Sequence, residues 1–235
     1  MQHFKENSYL FETFAKGLLG QLSENPALAP YIHFIKYRIK DAEHLRRKLQ
    51  LQALEAKGKG VAFKISRSNL FAKVTDLAGV RVLHLHTDQV REMNPIILGI
   101  LAEHQYRVLE GPTAVCWDRE YETLFDGFGI EPESRESMYT SVHYIIEANQ
   151  QTKITAELQV RTLMEEVWGE VSHRVDYPVP GSRSCRDQLK VLARLTSGST
   201  RLVDSIFKTH AEGAAGTRSE PRARPSRSIK KTKRP

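Results

Sequence analysis

Asp76, in VTDLAGVRV, stands where the chain enters a run holding Val80, Val82 and Leu85. A carboxylate at a strand end can be held rigidly beside a second one from a neighbouring strand, and such pairs bind the magnesium of a nucleotide polyphosphate. Glu157, in ITAELQVRT, is the natural second acid. Each has a plainer meaning: alternation puts Glu157 and Gln159 on the solvent face of a strand, and Asp76 also suits a loop or a helix cap. Periodicity alone favours the plainer meaning.

Basic residues gather where a polyphosphate would need them. Arg38, Lys40, Arg46, Arg47 and Lys48 fall within eleven positions, and Arg81 lies five residues past Asp76. Arginine can stack on a base and grip phosphate with two parallel bonds, whereas lysine acts as a point charge. A solvated helix face has the same look. No GxxxxGK[ST] loop and no GxGxxG after a strand occurs, which speaks against an ordinary P-loop or Rossmann site. A third cluster is MYTSVHY, residues 138 to 144, in which Tyr139, Ser141 and His143 alternate. On a strand they share one face, offering a ring for a base to stack on, a hydroxyl and an imidazole. An ordinary amphipathic strand reads the same way.

These residues need elements to hold them. The first 50 residues read as helices: Tyr9, Leu10, Phe14, Leu18, Leu19 and Leu22 follow spacings of three and four until Pro26 and Pro30 interrupt. A second helical pattern runs from about Ala42 to Leu54, and GKG at 58 to 60 breaks it. GVRVLHLH at 79 to 86 then alternates as a half-buried strand, and 95 to 104 is helical again. SVHYIIE at 141 to 147 and ITAELQV at 154 to 160, separated by a polar turn, predict a hairpin. Thr162 is placed to cap a helix with Leu163, Val167, Val171 and Val175 on one side, and a last helix covers about Cys185 to Thr209. Residues 109 to 138 show no period and read as a long irregular loop. Helices around a small mixed sheet make the fold class α/β or α+β.

With 235 residues, 40% hydrophobic and 27% charged, the chain has enough apolar side chains for a sizeable core. No stretch approaches the length of a spanning helix, and the opening MQHFKENSYLFETF lacks the order of a signal peptide, so the expectation is a cytoplasmic protein without a membrane role. Two cysteines, Cys116 and Cys185, close no zinc site. The net charge of +7 is concentrated in Arg218 to Pro235, which holds eight basic residues against Glu220, while the rest balances to zero. Such a tail, poor in apolar side chains, is expected to be disordered and to touch RNA, the ribosome or another polyanion.

Taken together, VTDLAGVRV, YTSVHY and AELQVRTLMEEVWGEVSHRVDYP, in this order and spacing, resemble the RelA/SpoT-type alarmone synthetase domain. The resemblance covers about residues 30 to 180, and YRIKDAEHLRRKL resembles the start of that family's ATP-binding helix. It implies a nucleotidyltransferase-like fold and magnesium-dependent transfer of pyrophosphate from ATP to the ribose 3′-hydroxyl of GDP or GTP. No HD-type hydrolase motif is found, as in the small stand-alone synthetases. By the same resemblance Arg38 and Arg81 sandwich adenine, Lys40 and Lys48 meet phosphate, and Asp76 and Glu157 hold magnesium, with Glu157 also the general base. Tyr139 stacks on the acceptor base, His143 and Ser141 face the nucleotides, and Gln159 and Arg161 belong to the Glu157 motif with less defined roles.

The chain departs from the family at Ser137-Met138-Tyr139-Thr140, where many members have Asn-Gly-Tyr followed by Arg or Gln. His44 replaces a common serine, and a Lys/Gly-rich insertion stretches the interval from Lys48 to Asp76. Two alternatives stay open: a toxic small synthetase whose acceptor is an adenine nucleotide or the tRNA 3′ end, and a non-catalytic nucleotide- or RNA-binding module. The expected organisation is an N-terminal helical extension over 1–29, the synthetase-like domain over 30–180, a C-terminal helix over 181–211 and a disordered basic tail over 212–235. A homo-oligomer is also expected, because small members of the family often assemble.

Overall fold

The computed structural model describes residues 2–148, 153–176 and 181–219. Helix α1 (Gln2–Glu24) leads through a 3-10 turn to strand β1 (Phe34–Ile39), then α2 (Ala42–Gly58), the short α3 (Leu70–Lys73) and β2 (Ala78–His84). Next come α4 (Val90–Glu103), β3 (Arg107–Cys116), α5 (Arg119–Asp126), β4 (Glu131–Ser134), β5 (Ser141–Glu147), β6 (Thr155–Thr162), α6 (Leu163–Asp176) and α7 (Arg183–Ser219). The strands form one mixed six-stranded sheet in the order β1-β2-β6-β5-β3-β4, parallel at β2/β6 and β3/β4 and antiparallel elsewhere. Among the described residues no helix is long and apolar enough to cross a membrane.

Period-two alternation divides the sheet into two chemically distinct faces. Val80, Val82, Val142, Tyr144, Leu158 and Val160 point to the core, where Phe11, Leu18 and Leu22 of α1 and Met93, Ile97 and Leu101 of α4 join them. The opposite face carries Lys36 and Arg38 of β1, Arg81 of β2, Glu157, Gln159 and Arg161 of β6, and His143 of β5. Registers match them up: Lys36 lies opposite Arg81, Arg81 opposite Gln159, and Gln159 opposite His143. Cys116 is buried and both cysteines are free thiols.

The expected hairpin is present as the antiparallel β5/β6 pair, and Thr162 does cap α6, its Oγ1 accepting from the Glu165 amide at 3.3 Å. Three expectations are corrected. The first 50 residues are not all helical, because Ile35, Tyr37 and Ile39 alternate with Lys36 and Arg38 and pair with β2 along their whole length. Residues 109 to 138 are not an irregular loop but most of β3, then α5 and β4. Register shifts between Val108 and Glu110 and between Glu110 and Thr113 break the alternation that would have marked β3. Gly111 sits there at a φ of +90°, and a Cβ on it would come within 2.3 Å of the His143 carbonyl oxygen, so only glycine fits. Helix α6 turns its valine side outward. Val167, Val171 and Val175 are exposed, while Glu165, Glu166 and Trp168 face inward. Helix α7 continues to Ser219, so residues 212–219, expected in the tail, are helical; the tail from 220 on lies outside the described residues.

Candidate active site

The polar face of the sheet forms the floor of a groove, and α2 and α6 form parts of its walls. At one end Arg38, Lys40, His44, Lys48, Asp76 and His173 surround a hollow of about 400 Å³. Helix α2 is started here by Asp41, whose side chain accepts from the Glu43 and His44 amides at 2.9 and 3.0 Å. That cap fixes the direction in which Lys48 reaches back. Asp76, in the turn before β2, is clasped by Lys40 and by Lys48, the latter at 3.0 Å. Burial opposes its charge, but the two ammonium groups hold its carboxyl below the usual carboxylate range. Burial also pushes the Lys40 ammonium down despite Asp76. The second oxygen of Asp76, Oδ1, is buried without a hydrogen-bond partner among the described residues.

The middle of the groove, about 250 Å³, is lined by Arg38, Gly79, Arg81, Glu157, Gln159, Glu170 and His173 among others. Glu157 accepts on both oxygens: His143 Nδ1 is 2.9 Å from Oε1 and Gln159 Nε2 is 2.8 Å from Oε2. Burial and the charge of Asp76 work against its ionisation, yet the bonds from His143 and Gln159 bring its pKa below the usual value. Glu157 is therefore a carboxylate at neutral pH. Arg38 lies across Gly79, where a Cβ would stand 3.7 Å from its Cγ.

Arg81 is held more tightly than its expected role of stacking on adenine requires. Its Nε donates to Gln159 Oε1 at 3.2 Å, and its Nη1 meets Glu170 at 2.7 Å and Glu166 at 3.3 Å. Lys36 joins the same carboxylates, Glu166 at 2.6 Å and Glu170 at 3.2 Å. Burial would raise the pKa of Glu170, but Lys36 and Arg81 outweigh it and bring it down to about 2. The four residues form a charge lattice between β1, β2 and α6.

The far end, about 330 Å³, is lined by Arg81, Tyr139, Gln159, Arg161, Trp168, Gly169, Ser172 and His173. Tyr139 lies not on β5 but in the turn before it, next to Met138 at a φ of +44°. Arg161 Nη1 donates to its hydroxyl at 3.0 Å, and its ring stands edge-on to His143 and tilted against Trp168. Trp168 is fixed by an Nε1 bond of 3.0 Å to the Leu189 carbonyl of α7. Ser141 behaves differently from expectation: it is buried, and its hydroxyl donates to the Val160 carbonyl at 3.2 Å. It ties β5 to β6 and lines, with Tyr121, Thr140 and Glu165, a separate small hollow instead of the groove.

The structure thus brings Arg38, Lys40, Lys48, Asp76, Arg81, Tyr139, His143, Glu157, Gln159 and Arg161 to one groove and leaves Ser141 beneath it. Sequence reasoning passed over Lys36, Glu166, Trp168, Glu170 and His173. A strand reading of 34 to 39 would have exposed Lys36, two residues from Arg38 and on the same face; nothing in the spacing on α6 marks Glu166 or Glu170.

Residues 37–182 match the family model described as a region found in RelA / SpoT proteins. The chain belongs to the RelA/SpoT family. Its fold is similar to that of small alarmone synthetase 1 from Bacillus subtilis, at 15% identity over 90% of this chain and 100% of that one, with a TM-score of 0.61. The same enzyme bound to its product pppGpp matches at 17% identity, 91% and 100% coverage and a TM-score of 0.59. Bound to AMPCPP it matches at 15%, 89% and 98%, with a TM-score of 0.57. No curated protein matches this RelA/SpoT chain. Family and fold identify it as a pyrophosphotransferase.

Proposed function

We propose that this groove transfers pyrophosphate from ATP to the ribose 3′-hydroxyl of GDP or GTP. The observation that carries the reading is the position of Glu157 midway along one continuous groove. Arg38 and His173 line both its cationic end and its middle, while Arg81, Gln159 and His173 line both its middle and its aromatic end. Polyphosphate suits the end with Lys40 and Lys48, and the acceptor base suits Tyr139 and Trp168. Between them the 3′-oxygen bonds to the donor's β-phosphorus, the bond from that phosphorus to the α,β-bridging oxygen breaks, and AMP leaves. Glu157 accepts the hydroxyl proton, with His143 and Gln159 fixing its oxygens. Arg38 and Arg81 flank the adenine; Arg81 does so after exchanging part of its contact with Glu170.

Magnesium fits Asp76 and Glu157. The unpartnered Oδ1 of Asp76 is a hard oxygen donor aimed at no protein group. Magnesium takes one or two carboxylates and fills its shell with phosphate and water, so these two acids are enough to hold it. When bound it offsets phosphate charge and polarises the donor. The neighbour that binds pppGpp as its product supports the guanine acceptor, and the AMPCPP complex supports the adenine donor. The protein is expected to work in the cytoplasm. The test is incubation with γ-labelled ATP, magnesium and, separately, GDP, GTP, ATP and tRNA. Label on GDP or GTP is expected; label only on tRNA or on an adenine nucleotide, or none at all, overturns the reading.

A further inference from the structure

Between residues 56 and 75 the chain carries Lys57, Lys59, Lys64, Arg67 and Lys73 and no acidic residue. All five are exposed, and the ion pairs made from the preceding helix α2 to acids involve Arg46 and Lys48 instead. The segment from Val61 to Ser66 is neither helix nor strand, yet it has a set shape. Ser66 N donates to Asn69 Oδ1 at 2.7 Å, Asn69 Nδ2 donates to the Lys64 carbonyl at 2.9 Å, and Ile65 packs against the core. Pinned in this way, the loop holds two apolar side chains out among the cations: Val61 is 56% exposed and Phe63 40%. Burying neither while fixing the backbone that carries them is unusual for a loop whose only task is to connect.

We propose that the segment from Lys57 to Lys73 docks single-stranded RNA. Unpaired cations track a phosphate backbone, and an exposed ring set among them offers a base a stacking platform that tolerates any sequence. An anionic membrane fits less well, since surface-binding segments are amphipathic helices and the stretch that carries Val61 and Phe63 is not helical. A duplex fits less well too, because its bases are already stacked and Phe63 would have nothing to receive. The surface adjoins the groove: α2, which delivers Lys48, runs into it, and Lys73 stands three residues before Asp76. The choice of RNA over DNA rests on the reading of the groove as a ribonucleotide site.

The test uses the full chain and a labelled, unstructured RNA of about 20 nucleotides, with binding read by fluorescence anisotropy at several salt concentrations. Lys59→Glu, Lys64→Glu and Arg67→Glu combined should weaken binding about tenfold or more and flatten the slope of log Kd against log salt by about two units, as expected for three lost phosphate contacts. Phe63→Ala should weaken it about tenfold with the slope unchanged. Pyrophosphate transfer to mononucleotides and thermal stability, read on the same samples, should not move. RNA affinity untouched by the triple variant would place binding elsewhere and overturn the proposal. So would DNA of the same sequence binding as tightly, or loss of binding to phosphatidylserine vesicles with RNA affinity intact. If the wild type binds RNA through this segment but transfers no pyrophosphate, the reading of the groove fails and the docking surface stands.

Discussion

His143 Nδ1 lies 2.9 Å from Glu157 Oε1, although the two residues are not register partners: His143 faces Gln159 across the β5/β6 hairpin, and Glu157 faces Ile145. The contact is diagonal. Since Glu157 is ionised, Nδ1 carries a proton and donates, and Nε2 is buried without a hydrogen-bond partner among the described residues.

Glu157→Gln should therefore preserve folding and ATP binding and lower turnover by about 100-fold or more, because the proton acceptor is gone while the shape is kept. Steady-state kinetics with a parallel ATP-binding measurement checks it. His143→Ala should do something different. It removes the main influence that lowers the Glu157 pKa, leaving burial and Asp76 to raise it, so the acid limb of the pH profile of kcat/KM should move to higher pH.

Asp76→Asn should abolish the magnesium dependence of donor binding. It also strands Lys40, whose ammonium is largely enclosed, without its counter-charge, at a cost of about 3 kcal/mol in folding stability. Urea titration and ATP binding with and without magnesium separate the two effects.

Tyr139→Ala should raise the KM for the acceptor by about 1 to 3 kcal/mol of lost stacking and leave the KM for ATP unchanged. Tyr139→Phe keeps the ring and loses the bond from Arg161 and the long 3.5 Å bond to Gln159 Oε1, so its effect should be about 1 kcal/mol. Equal losses for donor and acceptor would place the ring in a shared wall.

Glu165 is buried under the Tyr139 turn, accepting from the Thr140 amide at 3.3 Å, and burial raises its pKa from 4.5 to about 7. A raised carboxyl pKa means the folded protein holds a proton that the unfolded chain has released, so stability falls as pH rises from about 4.5 to 7 and stays low above that. Glu165→Gln removes this loss. Between pH 4.5 and 8 the wild type should lose about 3 kcal/mol more than the variant, read from urea midpoints at the two pH values.

What the sequence disclosed and what it hid follow from the range over which each signal acts. The helical period from about Ala42, Thr162 before α6 and the alternation in β2, β5 and β6 are local, and each element formed as its residues direct. By alternation Glu157 reads as a solvent-facing residue, because alternation tells which residues share a face but not what lies opposite that face. The groove covers it. The lattice of Lys36, Arg81, Glu166 and Glu170 joins residues up to 134 positions apart and turns α6 so that its valines face outward, against the helical pattern. Only packing reveals such a reversal. In β3 the signal itself was broken, because Gly111 and the neighbouring register shifts interrupt the period of two.

Thr162 ends β6 and Leu163 begins α6, with no residue between them. Glu157, Gln159 and Arg161 on the floor and Glu166, Glu170 and His173 on the wall are consequently set by one unhinged piece of chain. That piece works as a fixed jaw. The clearance for a substrate is then adjusted from the other sides, by the turn carrying Tyr139 and by the reach of Arg38, and a change of acceptor can be accommodated there without moving the acid that receives its proton.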